Sequence, residues 1–152
     1  MQIVEYGLYN IKDDYFTKYK DKFLPDNKQE KRPYYVAVRD SGGIIWMVPL
    51  SSKVPEYKAK IKKDAQKHGS CLFYHIGIIA GVERVFLVGN MFPVTESYLK
   101  KQYTISGVHY VVQDTVLIRE IHKRVSRYLT LVKYQKLKPN VDILKIRNDL
   151  LK

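Results

Sequence analysis

One hairpin pattern constrains this chain more than any other local feature. Two runs of β-favouring residues, 34–38 and 44–48, flank residues 40–43, a turn segment that contains Gly42 and Gly43. The glycines accept the positive φ that a tight turn requires. A hairpin is antiparallel, so the start of its first strand lies beside the end of its second strand. Counting outward from Gly42, we predict that residues 32–34 lie opposite residues 50–52.

The rest of the chain predicts further strands followed by helices. Extended segments are predicted at residues 1–9, 71–79, 82–88 and 91–94. Helices are predicted at residues 13–23, 111–132 and 142–151. A further helix is predicted to begin within residues 51–55 and to end at residues 68–69. We read the remainder as helical. Strands in the first two-thirds and helices in the last third predict a single α+β domain over residues 1–152.

Composition excludes several classes of protein. The chain of 152 residues has only 8 Gly and 6 Pro, which excludes collagen-like and low-complexity sequences. Cys71 is the single cysteine, so an intramolecular disulfide and a cysteine-rich zinc site are excluded, and a reducing compartment is expected. No leader pattern and no apolar run near the roughly 20 residues of a membrane span is present. We expect a cytoplasmic protein without membrane contact.

The sequence lacks the common catalytic and metal-binding motifs. It has no phosphate-binding loop, no His-Glu-x-x-His pattern and no nucleophile-elbow serine. Its four histidines, at positions 68, 75, 109 and 122, do not have the spacing of metal ligands. We therefore expect neither a metal ion nor a cofactor.

Strong positive charge indicates a polyanionic partner. The 27 Lys and Arg against 15 acidic residues give a formal net charge of +12. One basic segment runs from Ser51 to His68, and a second follows the long C-terminal helix. The residues expected to contact RNA are Lys31, Lys58, Lys60, Lys62, Lys63, Arg119, Lys123, Arg127 and Lys133. The alternative for each helix is an ordinary solvated face.

A possible phosphate site lies where a buried strand leads into a helix. The sequence Pro49-Leu50-Ser51-Ser52-Lys53 places two hydroxyls and a lysine near a helix N-terminus, which attracts anions. The hairpin register adds Arg32 and Tyr34 to the same place. Together they can hold a phosphodiester. The alternatives are that one serine caps the helix, that Tyr34 is structural and that Arg32 is a surface residue.

These same residues resemble the type III toxin–antitoxin endoribonucleases, the ToxN/AbiQ family, and within it the CptN-like toxins. A strand and an aromatic-rich helix occupy residues 4–23. The segment Lys31-Arg32-Pro33-Tyr34 then opens the hairpin that leads into Pro49-Leu50-Ser51-Ser52, and Asn90-Met91-Phe92-Pro93-Val94 precedes a helical C-terminal part. Ser51 stands where the family often has Thr, Arg32 where it often has Lys, and Lys53 where it often has Pro.

The resemblance implies a fold, an activity and a partner. The fold is a compact, twisted antiparallel β-sheet or barrel of the Kid/MazF (SH3-like) type with peripheral α-helices. The activity is metal-independent cleavage of single-stranded cellular or phage RNA. The partner is a small repeated RNA antitoxin that folds into a pseudoknot and assembles with the toxin into a closed ring. This RNA is also a potential substrate that the toxin can process.

We expect five residues to take part in metal-free RNA cleavage. Attack of the 2′-OH on its own phosphorus leaves a 2′,3′-cyclic phosphate and a 5′-OH, and the protein must align the linkage and stabilise negative charge. Arg32 and Lys53 suit the charge, and Ser51 and Ser52 suit phosphate positioning. Tyr34 can carry a proton only if its neighbours lower its pKa substantially. The alternative function is a non-catalytic, translation-associated RNA-binding module.

Overall fold

The computed structural model describes residues 1–152 and contains nine β-strands and four α-helices. The strands are β1 (Leu8–Ile11), β2 (Tyr34–Arg39), β3 (Ile45–Ser51), β4 (Tyr74–Ile79), β5 (Val82–Leu87), β6 (Phe92–Val94), β7 (Leu99–Gln102), β8 (Thr104–Ile105) and β9 (Val108–His109). The helices are α1 (Asp13–Lys18), α2 (Val54–His68), α3 (Thr115–Lys133) and α4 (Ile143–Leu150).

Seven strands form one antiparallel sheet in the order β4-β5-β3-β2-β1-β7, with β6 paired to β3. Strand β3 organises this sheet because it pairs with three partners. Its first half, from Ile45 to Met47, pairs with β6, and its end, Leu50 and Ser51, pairs with β5. Strands β8 and β9 form a separate two-stranded sheet. The prediction of an α+β fold with an antiparallel sheet and peripheral helices is confirmed.

The predicted hairpin is present, but a β-bulge between Val36 and Val38 shifts its register by one residue from the predicted one, in which Tyr34 would lie opposite Leu50. Tyr34 pairs with Pro49, and the N–H of Leu50 donates to the carbonyl of Pro33 at 3.3 Å. The turn places Gly42 and Gly43 at φ values of 76° and 79°, which a residue with a Cβ adopts only with strain. The end of β3 therefore lies beside the residues that precede β2.

The helices pack around the core of this sheet. Helix α3 buries one complete face, as its apolar spacing predicts, and this face consists of Leu117, Ile121, Val125, Tyr128 and Val132. The side chain of Asp114 caps the helix by accepting hydrogen bonds from the N–H groups of Val116 and Leu117. No helix of the structure has both the length and the apolar character needed to cross a membrane.

The boundaries of several predicted elements were wrong. The first strand begins at Leu8 rather than at residue 1, and the first helix ends at Lys18 rather than at residue 23. Helix α2 begins at Val54, so the two serines precede it. The prediction that the chain is helical beyond residue 94 missed β7, β8 and β9. Strand β7 carries Lys100 and Lys101 at the edge of the sheet, where charged residues are common and the apolar alternation of a strand is lost.

Candidate active site

The β2–β3 hairpin brings Arg32 to the end of β3. Its guanidinium donates from Nε to the carbonyl of Asp26 at 2.7 Å and from Nη1 to the carbonyl of Leu50 at 3.0 Å. Two of its five N–H groups are used in this way, which leaves three for an anion. Because Leu50 directly precedes Ser51, the positive charge is held beside the two serines. The predicted proximity of Arg32 to this segment is confirmed.

Ser51 and Ser52 differ in their surroundings. Ser51 is buried as the last residue of β3, and its Oγ accepts a hydrogen bond from the N–H of Lys53 at 3.2 Å. Ser52 is exposed, and no hydrogen bond within the protein involves its hydroxyl. Lys53, not a serine, occupies the N-cap position of α2, where its side chain makes no capping bond. Simple capping therefore does not account for either serine.

The first turn of α2 adds backbone donors beside the serines. The N–H groups of Ser52 and Glu56 donate to no acceptor in the protein, and Pro55 has no N–H. Such free groups and the helix dipole favour an anion at this end of the helix. Lys53 is exposed and has no carboxylate within 4.0 Å, whereas the carboxylate of Glu56 lies 3.7 Å from Lys60. The site therefore gathers cations, hydroxyls and free N–H groups at one place.

Tyr34 does not meet the condition for carrying a proton. Its side chain is fully buried, and its hydroxyl donates to Oδ1 of Asn27 at 3.0 Å. Burial raises the pKa of Tyr34 well above its usual value, despite the nearby positive charge of Arg32. Tyr34 therefore lacks the lowered pKa that a proton carrier requires, and its hydrogen bond to Asn27 holds the loop before β2 in place.

Asn27 is the residue that the sequence reasoning missed. Its amide donates to the carbonyl of Ile11 and to Oδ1 of Asp13, each at 2.8 Å, while its Oδ1 accepts from Tyr34. Only 7% of Asn27 is exposed. We read the segment around it only as a helix breaker, because the buried partners come from distant parts of the chain. Asn27 fixes the loop whose neighbouring carbonyl, that of Asp26, receives the Arg32 guanidinium.

The loop between Asn27 and Arg32 has an unusual backbone. Lys28, Gln29 and Glu30 have φ values of 50°, 60° and 65°, in the left-handed region that residues with side chains rarely adopt. Glu30 ties the loop down, because its carboxylate pairs with Lys100 and accepts from the N–H of Asp13 at 2.7 Å. Strain of this kind persists only where surrounding contacts hold it. The loop therefore presents Arg32 in a defined position.

The predicted RNA-contacting residues do not form one face. Lys58 pairs with Glu83 at 3.0 Å, on a different side of α2 from Lys60 and Lys63. Lys123 and Arg127 of α3 line a cavity together with the end of α2. The remaining predicted residues are exposed and line none of the larger cavities. These are Lys31, Lys62, Arg119 and Lys133.

None of the four histidines forms a hydrogen bond or an ion pair with a residue of the candidate active site. His109 contacts the carbonyl of Leu8 at 2.9 Å, and His122 lies 3.4 Å from the Ser126 hydroxyl. Burial, and then the charge of Arg124, lowers the pKa of His75. His68 is an exposed residue at the end of α2, 3.9 Å from Asp64. No group of three or more His, Cys, Asp or Glu side chains is arranged to hold a metal ion.

The fold of this chain, an antiparallel sheet of seven strands with peripheral helices, is also that of a protein of known structure. The structure is similar to that of AbiQ, a lactococcal anti-phage endoribonuclease that belongs to the type III toxin–antitoxin system. The match covers 95% of this chain and 96% of AbiQ, with a TM-score of 0.66 and 14% sequence identity. No protein-family model and no curated protein matches the sequence. The fold implied by the sequence resemblance is thereby confirmed.

Proposed function

We propose that this protein is an endoribonuclease toxin of a type III toxin–antitoxin system that cleaves single-stranded RNA. The observation that carries the proposal is the anchoring of Arg32 to the carbonyl of Leu50, directly before Ser51 and Ser52 and the free N-terminus of α2. The shared fold with AbiQ supports the same activity class. A cation, two hydroxyls and free backbone donors are what a scissile phosphodiester requires.

Cleavage proceeds by attack of the 2′-OH on the adjacent phosphorus. Arg32 contributes up to three N–H groups to the phosphorane oxygens, and Lys53 contributes an exposed ammonium. The Ser52 hydroxyl and the free N–H groups of Ser52 and Glu56 position the non-bridging oxygens. The P–O2′ bond forms as the P–O5′ bond breaks, the 2′-OH gives its proton to solvent water, and the leaving 5′-oxygen takes a proton from solvent water, so the products are a 2′,3′-cyclic phosphate and a 5′-OH. Rate acceleration comes from alignment and electrostatic stabilisation.

The same proposal includes a metal-free mechanism and an RNA partner. The positive charge that a divalent ion would bring to the phosphate is supplied here by Arg32 and Lys53. A small repeated RNA that folds into a pseudoknot and closes a ring with several toxin chains is the inhibitor. The net charge of +12 favours such an RNA partner over a neutral or basic one.

Serine variants test the active site. Ser52→Ala and Ser51→Ala should abolish cleavage of total RNA and growth inhibition, while the thermal midpoint changes little for the exposed Ser52. Ser126→Ala, which removes an exposed hydroxyl on α3, is the matched control and should cleave like the parent. Cleavage by both Ser51 and Ser52 variants at the parental rate would refute the site. Loss of RNA affinity in gradual steps, with no turnover in the parent, would favour the non-catalytic RNA-binding module.

The chemistry is tested by the products and by chelation. Cleavage should persist in excess EDTA and leave 2′,3′-cyclic phosphate ends, which resist ligation until they are opened. Activity that disappears with EDTA and returns with Mg²⁺ would refute the metal-free mechanism and leave the serine result to be judged separately.

A further inference from the structure

Three neighbouring cavities meet at Phe73, and none of the active-site residues lines them. The largest, of about 560 Å³, lies between the C-terminal end of α2 and helix α3. A second of about 310 Å³ lies along α2, and a third of about 230 Å³ lies toward the segment after α3. Phe73 lines all three. We call this continuous surface the Phe73 trough.

The trough is strongly positive. Seven cations line it: Lys60, Lys63, Lys67, Lys123, Arg124, Arg127 and Lys138. Two of these have a carboxylate within 4.0 Å: Lys60 has that of Glu56, and Arg124 has that of Glu120. Asp64 is the one acidic residue in the lining, and it lies 3.9 Å from His68. Unneutralised charge at this density destabilises a fold through self-repulsion, which a polyanionic ligand would relieve.

The fold, rather than the local sequence, assembles these residues. Lys60, Lys63 and Lys67 are spaced so that they share one face of α2. The chain turns back after α2 at Gly69, which has a φ of 83°. Arg124 of α3 then donates from Nε to the carbonyl of Cys71 at 3.0 Å. This bond holds residues 71–73 against α3 and places Phe73 between the two basic helices.

Aromatic side chains provide a surface for stacking within this charge. Phe73 is half-buried, and its ring meets that of Tyr128 edge-on at 6.2 Å. The next residue, Tyr74, packs edge-on against Tyr57 at 4.8 Å. Lys60 lies 4.7 Å from the centre of the Tyr57 ring. Basic grooves with interleaved aromatic rings bind single-stranded nucleic acid by backbone neutralisation and base stacking.

We infer that the Phe73 trough is a second binding site for single-stranded RNA, in which a base stacks on Phe73 and flanking phosphates contact Lys67, Lys123 and Arg127. The inference rests on the proposed function only in taking RNA as the ligand. Lys67 of the trough and Ser52 lie toward opposite ends of α2, whose 15 residues span about 22 Å. An RNA strand with stacked bases covers this length in about six nucleotides, at about 3.4 Å for each base. We therefore expect the trough to increase the affinity for RNA strands of this length or longer more than for shorter fragments.

Binding of an uncleavable RNA tests the trough independently of catalysis. The probe is a 2′-O-methyl oligouridine of about 12 nucleotides, twice the length that spans α2, measured by fluorescence anisotropy. Phe73→Leu, which keeps an apolar side chain, should weaken its binding at least about fivefold. The matched control is Phe23→Leu, because Phe23 is an exposed ring, 41% accessible, with Lys22 lying 5.1 Å from its centre. This control should bind like the parent.

A second test measures the salt dependence of RNA binding in a variant that leaves the Phe73 ring unchanged. Replacing both Lys123 and Arg127 by Gln should reduce the slope of log K against log salt by about 1.4, which is 0.7 for each lost phosphate contact. Lys20→Gln with Lys22→Gln, outside the trough, should leave the slope unchanged. An unchanged slope in the first pair, or parental binding by a folded Phe73→Leu, would overturn the inference.

Failure of the trough and failure of the active site give different results. If the trough is correct, Phe73→Leu raises KM for long RNA but leaves cleavage of a dinucleotide unchanged. If Ser52→Ala still cleaves while Phe73→Leu loses RNA affinity, the active site is wrong and the trough stands. If Ser52→Ala is inactive but Phe73→Leu binds and cleaves long RNA like the parent, the trough is refuted alone.

Discussion

Replacement of Asn27 by Ala should destabilise the protein by about 3 kcal/mol. The change removes three hydrogen bonds and leaves the buried hydroxyl of Tyr34 and the carbonyl of Ile11 without the Asn27 partner. Each such group costs about 1–3 kcal/mol when left unpaired, and about 1.5 kcal/mol for each gives the total. Asp13 lies nearer to solvent and contributes little. With a urea slope of about 2 kcal/mol per M, the midpoint should fall by about 1.5 M.

The fluorescence of Trp46, the single tryptophan, reports this unfolding because only 2% of Trp46 is exposed. Tyr34→Phe is the matched variant, since it removes one hydroxyl and leaves only Oδ1 of Asn27 without its donor. It should cost about 1 kcal/mol. The double variant should lose less than the sum of the two, because both changes remove the same hydrogen bond. A loss below 1 kcal/mol for Asn27→Ala, or strict additivity, would refute the assignment of Asn27 as the residue that fixes the loop.

Three further changes test the framework around the site. Burial raises the pKa of Asp40, but the hydrogen bond from Arg147 at 2.8 Å, the bond from the N–H of Ser41 and the charge of Arg147 together outweigh it, so this pKa lies below its usual value. Arg147→Gln should therefore lower the free energy of unfolding by about 1 kcal/mol near neutral pH. This difference from the parent should vanish in urea titrations as the pH falls below about 4 and through the lowered pKa. Gly77→Ala should cost about 1–3 kcal/mol in a thermal melt, because its Cβ would lie 2.7 Å from the Leu117 side chain. Asp114→Ala should cost about 1 kcal/mol through loss of the α3 cap, and a melt that matches the parent would contradict that role.

Local sequence patterns predict an element correctly where the residues that specify it lie within one short segment. The hairpin turn at Gly42 and Gly43 needs only four residues to specify its geometry, and counting from it gives the strand pairing to within one residue, the difference being the β-bulge between Val36 and Val38. Helix α3 was predicted to within a few residues because its apolar face repeats at helical spacing. This reasoning also placed Arg32 beside Leu50 and the serines, which is the central contact of the candidate active site.

Other features depend on partners that lie far apart in the sequence. The burial of Tyr34, which excludes it from proton transfer, results from packing that the segment around it does not encode. The role of Asn27 depends on Ile11 and Asp13, and a polar residue in a breaker segment carries no sign of such partners. Strand β7 lies at an edge, where lysines replace the alternating pattern, so its pairing with β1 is visible only in three dimensions.

The sequence by itself determined the local elements, the charge and the pairing of the hairpin, because turn chemistry and periodicity act over a few residues. Only the tertiary structure decided which basic residues act together. Lys58 and Lys63 belong to the same basic helix, yet Lys58 pairs with Glu83 while Lys63 faces the Phe73 trough. The physical reason is that α2 packs against β4 and β5, and this packing determines which side of the helix lies beside Glu83 and which borders Phe73. Contacts between segments that are distant in the sequence therefore determine the direction in which each charged side chain extends.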